Sequence, residues 1–220
     1  MRKITLTFDN GPCPETTPCV LEILRERGLD AYFCLVGRQL RKGTEQVDIA
    51  VETRARGHTL VNHSYSHGVA LGDDPSAAHA QREVCEAHEV LNATLGDWGA
   101  PWFRPFGRGG ELGAHLLSAA AVSFLRERAY SVLLWNSVPR DWEDPHGWVE
   151  TALGHVASQE HTVVVLHDLA TGAMAELPRF LDTLDERGCQ FTTELPGDCV
   201  PLRHGEASWD AGAFVEIVTS

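Results

Sequence analysis

No apolar run in this chain of 220 residues approaches the roughly 18 residues that a bilayer-spanning helix needs. Runs of Lys and Arg are missing as well. The 18 basic residues are scattered among 31 acidic ones, and the net charge is −13. Neither nucleic acid nor a membrane is an expected partner, because both are held through clustered cations. None of the six cysteines (Cys13, Cys19, Cys34, Cys85, Cys189, Cys199) pairs at CxxC spacing, which argues against a structural zinc knuckle. Reduced thiols, buried as small apolar groups, are expected in preference to a disulfide framework. No GxGxxG follows the first strand and no P-loop sequence occurs, so nucleotide-binding folds lose their main support. Only Met1-Arg2-Lys3 precede the first apolar run, which is too short and too polar for an export signal; a cytoplasmic chain is expected.

What is present is alternation. Ile4-Thr5-Leu6-Thr7-Phe8 reads as a buried strand, stopped by Asp9-Asn10 and the breaker Gly11-Pro12. A helix is expected from Pro14–Pro18 to Gly28, a strand over Leu29–Val36, a helix over Thr44–Arg56 and a strand over His58–Asn62. Asp74-Pro75 opens a polar helix running to about Leu95, with His79, Glu83, Glu86 and Glu89 as its wet face. The pattern then predicts strand Trp102–Arg104, helix Leu112–Arg128, strand Tyr130–Trp135, helix Gly147–Ser158, strand Thr162–Leu166, helix Ala173–Arg187 and strand Cys189–Thr193. The whole of 1–220 reads as one domain, with an irregular tail from about residue 196 that wraps back over the body. Roughly seven strand–helix units without a linker argue for an α/β domain with a largely parallel sheet, near the count of a closed barrel.

The polar residues of interest all follow strand C-termini: Asp9, His63, His67, Arg104, Asp141 and His167. In barrels and doubly wound sheets that rim builds active sites. Each also has an ordinary reading. Asp9 and Asn10 either make a turn or put a working carboxylate at the tip of a core strand. His63 and His67, four apart, can present both imidazoles to one metal ion, or be two solvated loop histidines among the eleven in the chain. Arg104 can grip a carboxylate through two charge-assisted hydrogen bonds, or form a surface ion pair. Asp141-Trp142 can be a plain turn with a packed aromatic. His167 is a satisfied core imidazole or a general acid. Cys13 is a candidate for the wall of the same pocket, and Gly68–Pro75 and Pro105–Gly113 are expected to shape it.

Taken in order, these pieces resemble the polysaccharide deacetylase family, the NodB-homology carbohydrate esterases. Thr7-Phe8-Asp9-Asn10-Gly11-Pro12 looks like the family's TFDDGP, His63-Ser64-Tyr65-Ser66-His67 matches H(S/T)xxH, and Arg104-Pro105-Phe106 is similar to the RxP(Y/F) region. Asp141-Trp142 looks like the DW of the fourth motif and Leu166-His167 like the LH of the fifth. The resemblance implies a distorted (β/α)7 barrel of NodB type. It also implies a metal-dependent amidohydrolase that removes an acyl group, acetyl first, from an N-acylated amino sugar or a similar small amide. By resemblance, Asp9 is the general base toward water on a divalent ion, zinc first, and Asn10, His63 and His67 are the metal ligands. Arg104 orients Asp9 and keeps it ionised, Asp141 tunes the Arg104–His167 side, and His167 protonates the leaving amine. Trp142 and Leu166 would line the acyl pocket, and a backbone N–H near Phe106 would help hold the oxyanion. The physics agrees: a divalent ion supplies a nucleophile at neutral pH and polarises the carbonyl, while base and acid take separately tuned pKa values.

One residue departs from the pattern. Where the family motif has its second Asp, this chain has Asn10. An amide oxygen can bind a metal but brings no charge, so a weaker zinc site is expected. Two other readings follow. A metal-independent hydrolase of a cyclic amide or imide on the same fold is favoured by Asn10 and opposed by the intact histidines. A non-catalytic carbohydrate-binding relic is opposed by the joint presence of Asp9, Arg104, Asp141 and His167.

Overall fold

The computed structural model describes residues 1–98, 101–107 and 113–207. Period-two alternation in the first strand, β1 (Lys3–Asp9), decides the layering. Successive side chains of a strand point to opposite faces, so Ile4, Leu6 and Phe8 share one face while Thr5, Thr7 and Asp9 share the other. The apolar face joins a core with Phe33, Leu35, Leu60, Val164 and Leu166 that is covered by helical residues such as Val20, Leu24, Trp148, Val156, Phe180 and Leu184. The opposite face belongs to a second core containing Cys34, Val61, Phe103, Val132, Val163 and Val165.

Six strands run in parallel in the order β5 (Ser131–Val132), β4 (Trp102–Phe103), β3 (Thr59–Asn62), β2 (Tyr32–Leu35), β1, β6 (His161–His167). A seventh, β7 (Gln190–Phe191), runs beside Lys3 and Ile4 of β1. The two ends of the sheet meet beyond β5: Asn136 and Ser137 donate N–H groups to Val163 O, and Val165 N–H returns to Ser137 O. The sheet is thus closed, and the fold is the expected distorted (β/α)7 barrel. Helices α1 (Thr17–Arg27), α2 (Thr44–Ala55), α3 (Ala77–Ala80), α4 (Ala87–Leu95), α5 (Ala119–Glu127), α6 (Trp148–Ser158) and α7 (Leu177–Glu186) alternate with the strands. α1 shows why the sequence signals worked. Pro18 sits in the first turn, where its missing N–H costs nothing. Gly28 takes φ 63° after the last turn, and Leu29 N–H reaches back to Leu24 O.

Several expectations need correction. His79 and Glu83, read as part of a wet face, are 3% and 0% exposed, because the loop after β3 covers that side of the helix: His79 Nε2 lies 3.0 Å from Val69 O, and Glu83 takes the Ser66 N–H and hydroxyl. Between α3 and α4, Gln81–Glu86 winds as a π turn. The helix expected from Leu112 starts at Ala119, where the Ser118 hydroxyl caps it by accepting the Ala121 N–H; Leu112 itself lies outside the described residues. The strand expected over Tyr130–Trp135 is only two residues long, since the chain there leaves β4 to bridge toward β6. The tail is partly regular, with a single turn at Gly197–Cys199 and a hairpin of β8 (Leu202–Arg203) and β9 (Glu206–Ala207). It does fold back, since Leu134 N–H donates to Cys199 O and Leu202 is buried; residues 208–220 lie outside the described residues. All six thiols are free, but only Cys34, Cys85 and Cys199 are buried. Among the described residues, no helix is long and apolar enough to cross a membrane.

Candidate active site

Because β1, β3, β4 and β6 run the same way, their C-terminal ends open on one rim. Asp9 is the last residue of β1, and the parallel register sets it opposite Cys34 of β2 and His167 of β6. The inward face that carries Thr5 and Thr7 therefore carries Asp9, and the face of Val163 and Val165 carries His167. The chain then turns sharply. Asn10 adopts φ 76°, a left-handed conformation that Asn tolerates better than most residues. Gly11 follows because no side chain fits: a Cβ there would lie 2.5 Å from Asp168 Oδ2 and 2.7 Å from Oδ1. The Asp168 carboxyl is buried under this turn and takes the Thr17 hydroxyl at 2.5 Å, while Thr17 Oγ1 accepts the Cys13 N–H at 2.8 Å. Burial pushes the Asp168 pKa up to about 6. Gly11→Ala is expected to destabilise the fold by about 1–3 kcal/mol through overpacking, read as a lower urea midpoint; an unchanged midpoint would mean that the turn yields freely.

His63 and His67 lie in a tight loop after β3, not on a helix. Their rings are 4.8 Å apart, and His67 stacks on Phe106 at 4.0 Å. His63 Nδ1 is 2.8 Å from the backbone oxygen of Arg104. A carbonyl only accepts, so Nδ1 carries the proton and Nε2 keeps its lone pair. Burial drives the His63 pKa down to about 3, and burial also lowers that of His67. Both rings are thus neutral donors at neutral pH, as ligation requires. Ser64 and His67 have φ of 67° and 50°. With Asn10 and Arg140 they put left-handed non-glycine backbone around the rim, where such conformations collect in functional sites.

Arg104, at the end of β4, is fully buried. It approaches Asp9 through one nitrogen only, Nη1 to Oδ2 at 3.4 Å, and not through the two-pronged grip expected from the sequence. Its Nε and Nη2 have no hydrogen-bond partner, and its guanidinium carbon lies 5.2 Å from the Trp135 ring centre. Burial works to raise the Asp9 pKa, but Arg104, His63 and His167 together hold the carboxyl below its ordinary value. Arg104 is the permanent charge among these, since His63 is neutral. His63 Nε2 lies 3.6 Å from Asp9 Oδ2.

Across the rim, the fully buried Asp141 accepts both the His167 backbone N–H and its Nδ1–H, each at 2.9 Å. Among the described residues, both hydrogen bonds to the Asp141 carboxylate come from His167. Burial opposes the imidazolium, yet the Asp141 hydrogen bond and charge, with Asp9 and Asp168 beyond, hold the His167 pKa above its ordinary value. Trp142, 39% exposed, meets the His167 ring edge-on at 4.7 Å.

These groups share one cavity of about 700 Å³, which Asp9, Asn10, His63, His67, Phe106, Trp142 and His167 all line. Val165 lines it as well, in place of the expected Leu166. Strand alternation turns Leu166 to the opposite, helix-covered core. Cys13 is not on the cavity wall; its thiol faces Glu15. Of the loop expected over Pro105–Gly113, residues 108–112 lie outside the described residues. The sequence reading missed Trp135, Val138, Arg140 and Leu169 in the wall, and Asp168 beneath it. A signal existed for Arg140 and Asp168, which directly adjoin Asp141 and His167; nothing in the sequence pointed to Val138.

The donor set fits a divalent ion. Asn10 Oδ1 and Asp9 Oδ1 are buried without any hydrogen-bond partner, a costly state unless a ligand answers it. Among the described residues no three His, Cys, Asp or Glu side chains form a metal-holding cluster. The third donor on this rim is the Asn10 amide, beside two imidazoles whose orientation is fixed, in His63, by a backbone acceptor.

A family profile described as "Polysaccharide deacetylase" matches residues 1–121. The chain is 27% identical, over 197 residues, to the peptidoglycan-N-acetylglucosamine deacetylase of Bacillus cereus, covering 86% of this chain and 85% of that one. It is 30% identical over 169 residues to the chitooligosaccharide deacetylase of Rhizobium leguminosarum bv. trifolii, covering 76% and 72%. Among solved structures, a CE4 family pseudoenzyme from Bacillus anthracis superposes with a TM-score of 0.71 at 20% identity, covering 88% of this chain and 65% of that one. This last likeness is one of fold.

Proposed function

The chain belongs to the polysaccharide deacetylase family, hydrolases of non-peptide C–N bonds, and from that premise we propose that it removes the acetyl group from an N-acetylated amino sugar in a metal-dependent reaction. The observation that carries this reading is the convergence of a buried Arg104-facing Asp9, two neutral imidazoles, an unpartnered Asn10 oxygen and the Asp141–His167 pair on a single cavity. Asn10, His63 and His67 would hold a divalent ion, zinc first. Such an ion supplies Lewis acidity toward the amide carbonyl and lowers the pKa of water.

The chain's own residues do the remainder. Asp9, ionised beside Arg104, accepts a proton from the attacking water. His167, protonated and held by Asp141, gives a proton to the departing amine nitrogen, without which the C–N bond does not break. Trp142, Val165 and Leu169 give the acyl methyl an apolar wall, and the Phe106 ring backs His67. Glycan substrates suit the relatives named above; the rim of Trp142 and Phe106 offers faces on which a sugar ring can pack.

Acetate release from N-acetylglucosamine oligomers and peptidoglycan fragments, measured before and after complete chelation, tests the reading. Expected is activity that chelator removes and added zinc restores. Asn10→Asp is expected to tighten zinc binding by about tenfold or more, since it adds a charged donor. Unchanged hydrolysis after full metal removal would overturn the metal-dependent reading; turnover of a cyclic amide or imide in the same metal-free protein would favour the metal-independent alternative that Asn10 suggests. Unchanged affinity in Asn10→Asp would mean that this side chain does not face the ion.

A further inference from the structure

The π turn at Gln81–Glu86 packs against the loop that carries His63 and His67. Glu83, in this turn, is a fully buried carboxylate, a placement that demands partners. Ser66 supplies them: its N–H donates to Glu83 Oε2 and its hydroxyl to Oε1, both at 2.8 Å. Arg82 Nε adds a positive charge at 3.2 Å. The backbone of the same turn holds two further points, since Tyr65 N–H donates to Glu83 O at 2.9 Å and Asn62 Nδ2 to Val84 O at 3.0 Å. Asn62 Oδ1 accepts the Ser64 N–H, and Ser64 Oγ accepts the His67 N–H, each at 3.0 Å. His63 N–H goes to Leu35 O. Every N–H from His63 to His67 therefore has an acceptor, and Glu83 provides two of the five.

We propose that Glu83 is a positioning residue: its carboxylate fixes Ser66, and through Ser66 the left-handed backbone of His67, so that the two imidazoles are aimed together before any ligand binds. The inference rests on His63 and His67 being metal donors. Without the carboxylate, the Ser66 N–H and hydroxyl both lose their acceptors one residue from His67. Glu83 is i+3 from the buried Ala80 and i−4 from the buried Ala87, so it sits on the covered side of the helix, within a π turn of the kind frequent at functional sites.

The test compares Glu83→Ala and Glu83→Gln with the parent chain. Zinc affinity is read by chelator competition and the loop by amide hydrogen exchange. Glu83→Ala is expected to weaken zinc by about 10–100-fold, the usual effect of removing a group that orients a ligand, and to speed exchange at Ser66 and His67 by about tenfold or more. Glu83→Gln is expected to restore both properties in large part, because its amide can accept the Ser66 N–H and donate to the Ser66 hydroxyl while the half-exposed Arg82, which can no longer donate at that position, turns to solvent. A merely structural residue would lower the melting temperature and leave the zinc affinity of the folded protein unchanged. A folded Glu83→Ala protein with parental affinity and exchange overturns the proposal. If Glu83→Ala does not fold, Ser66→Ala removes only the hydroxyl contact, with an expected loss of about threefold in affinity; parental affinity there overturns the proposal instead. If the parent binds no zinc, the metal reading fails by itself, and the exchange rates alone decide for or against Glu83.

Discussion

Asp9→Asn is expected to remove turnover, lowering kcat by roughly 10²–10⁴-fold, the usual worth of a positioned general base. The side chain keeps its shape and loses its ability to take a proton. The same change has a second cost. Arg104 is buried, and among the described residues its Nε and Nη2 have no hydrogen-bond partner and Asp9 is the one carboxylate at its Nη1. Neutralising Asp9 leaves a buried guanidinium uncompensated, an arrangement that destabilises folded proteins by on the order of 3–5 kcal/mol. Activity per folded molecule and the unfolding midpoint should therefore both fall. Circular dichroism separates the two, because residual turnover must be referred to the folded fraction. A folded Asp9→Asn protein with parental kcat would mean that a group other than Asp9 takes the proton.

His167→Ala is expected to cost a similar factor, about 10²–10⁴-fold in kcat, on amides, whose amine leaves only when protonated. An ester of the same acyl group, with a better leaving group, should lose far less. The sign of the pH dependence follows from Asp141. Because the His167 pKa stands above its ordinary value, the imidazolium persists to higher pH, and activity declines only as pH rises through that raised value. Asp141→Asn takes away the charge that raises it, so the alkaline limb of kcat/KM should move to lower pH. An alkaline limb that stays in place in Asp141→Asn would mean that some other group protonates the amine.

The fold was largely legible from alternation. The period-two run Ile4–Phe8 and the apolar run at Val163–Leu166 stated their strands outright, and Gly28 stated where α1 ends. What the pattern does not carry is which polar residues meet a buried partner. Glu83 reads as solvent-facing because it is charged, yet its carboxylate lies against Ser66. Leu166 was placed in the pocket because it adjoins His167, although adjacency along a strand means opposite faces, and Val165 holds that position. The site residues themselves are legible because each ends a strand or lies in the loop that follows one on the same rim. Their partners are less visible: the single-nitrogen contact of Arg104 and the paired bonds from His167 to Asp141 depend on distances that no spacing along the chain encodes.

The register of β1 has a consequence for how the chain is assembled. Lys3 and Ile4 lie between His161–Thr162 on one side and Gln190–Phe191 on the other; β2 touches the strand only from Thr7 onward. The first strand of the sheet thus waits for β6 and β7 before its first half is paired. Pairings this distant along the chain slow folding and prolong the exposure of an unpaired apolar edge. Asp9 stands at the end of that strand, where β2 already sets its register, but His167 comes opposite it only when β6 docks. Residues 1–121, which carry the family signature, therefore do not complete their own central strand.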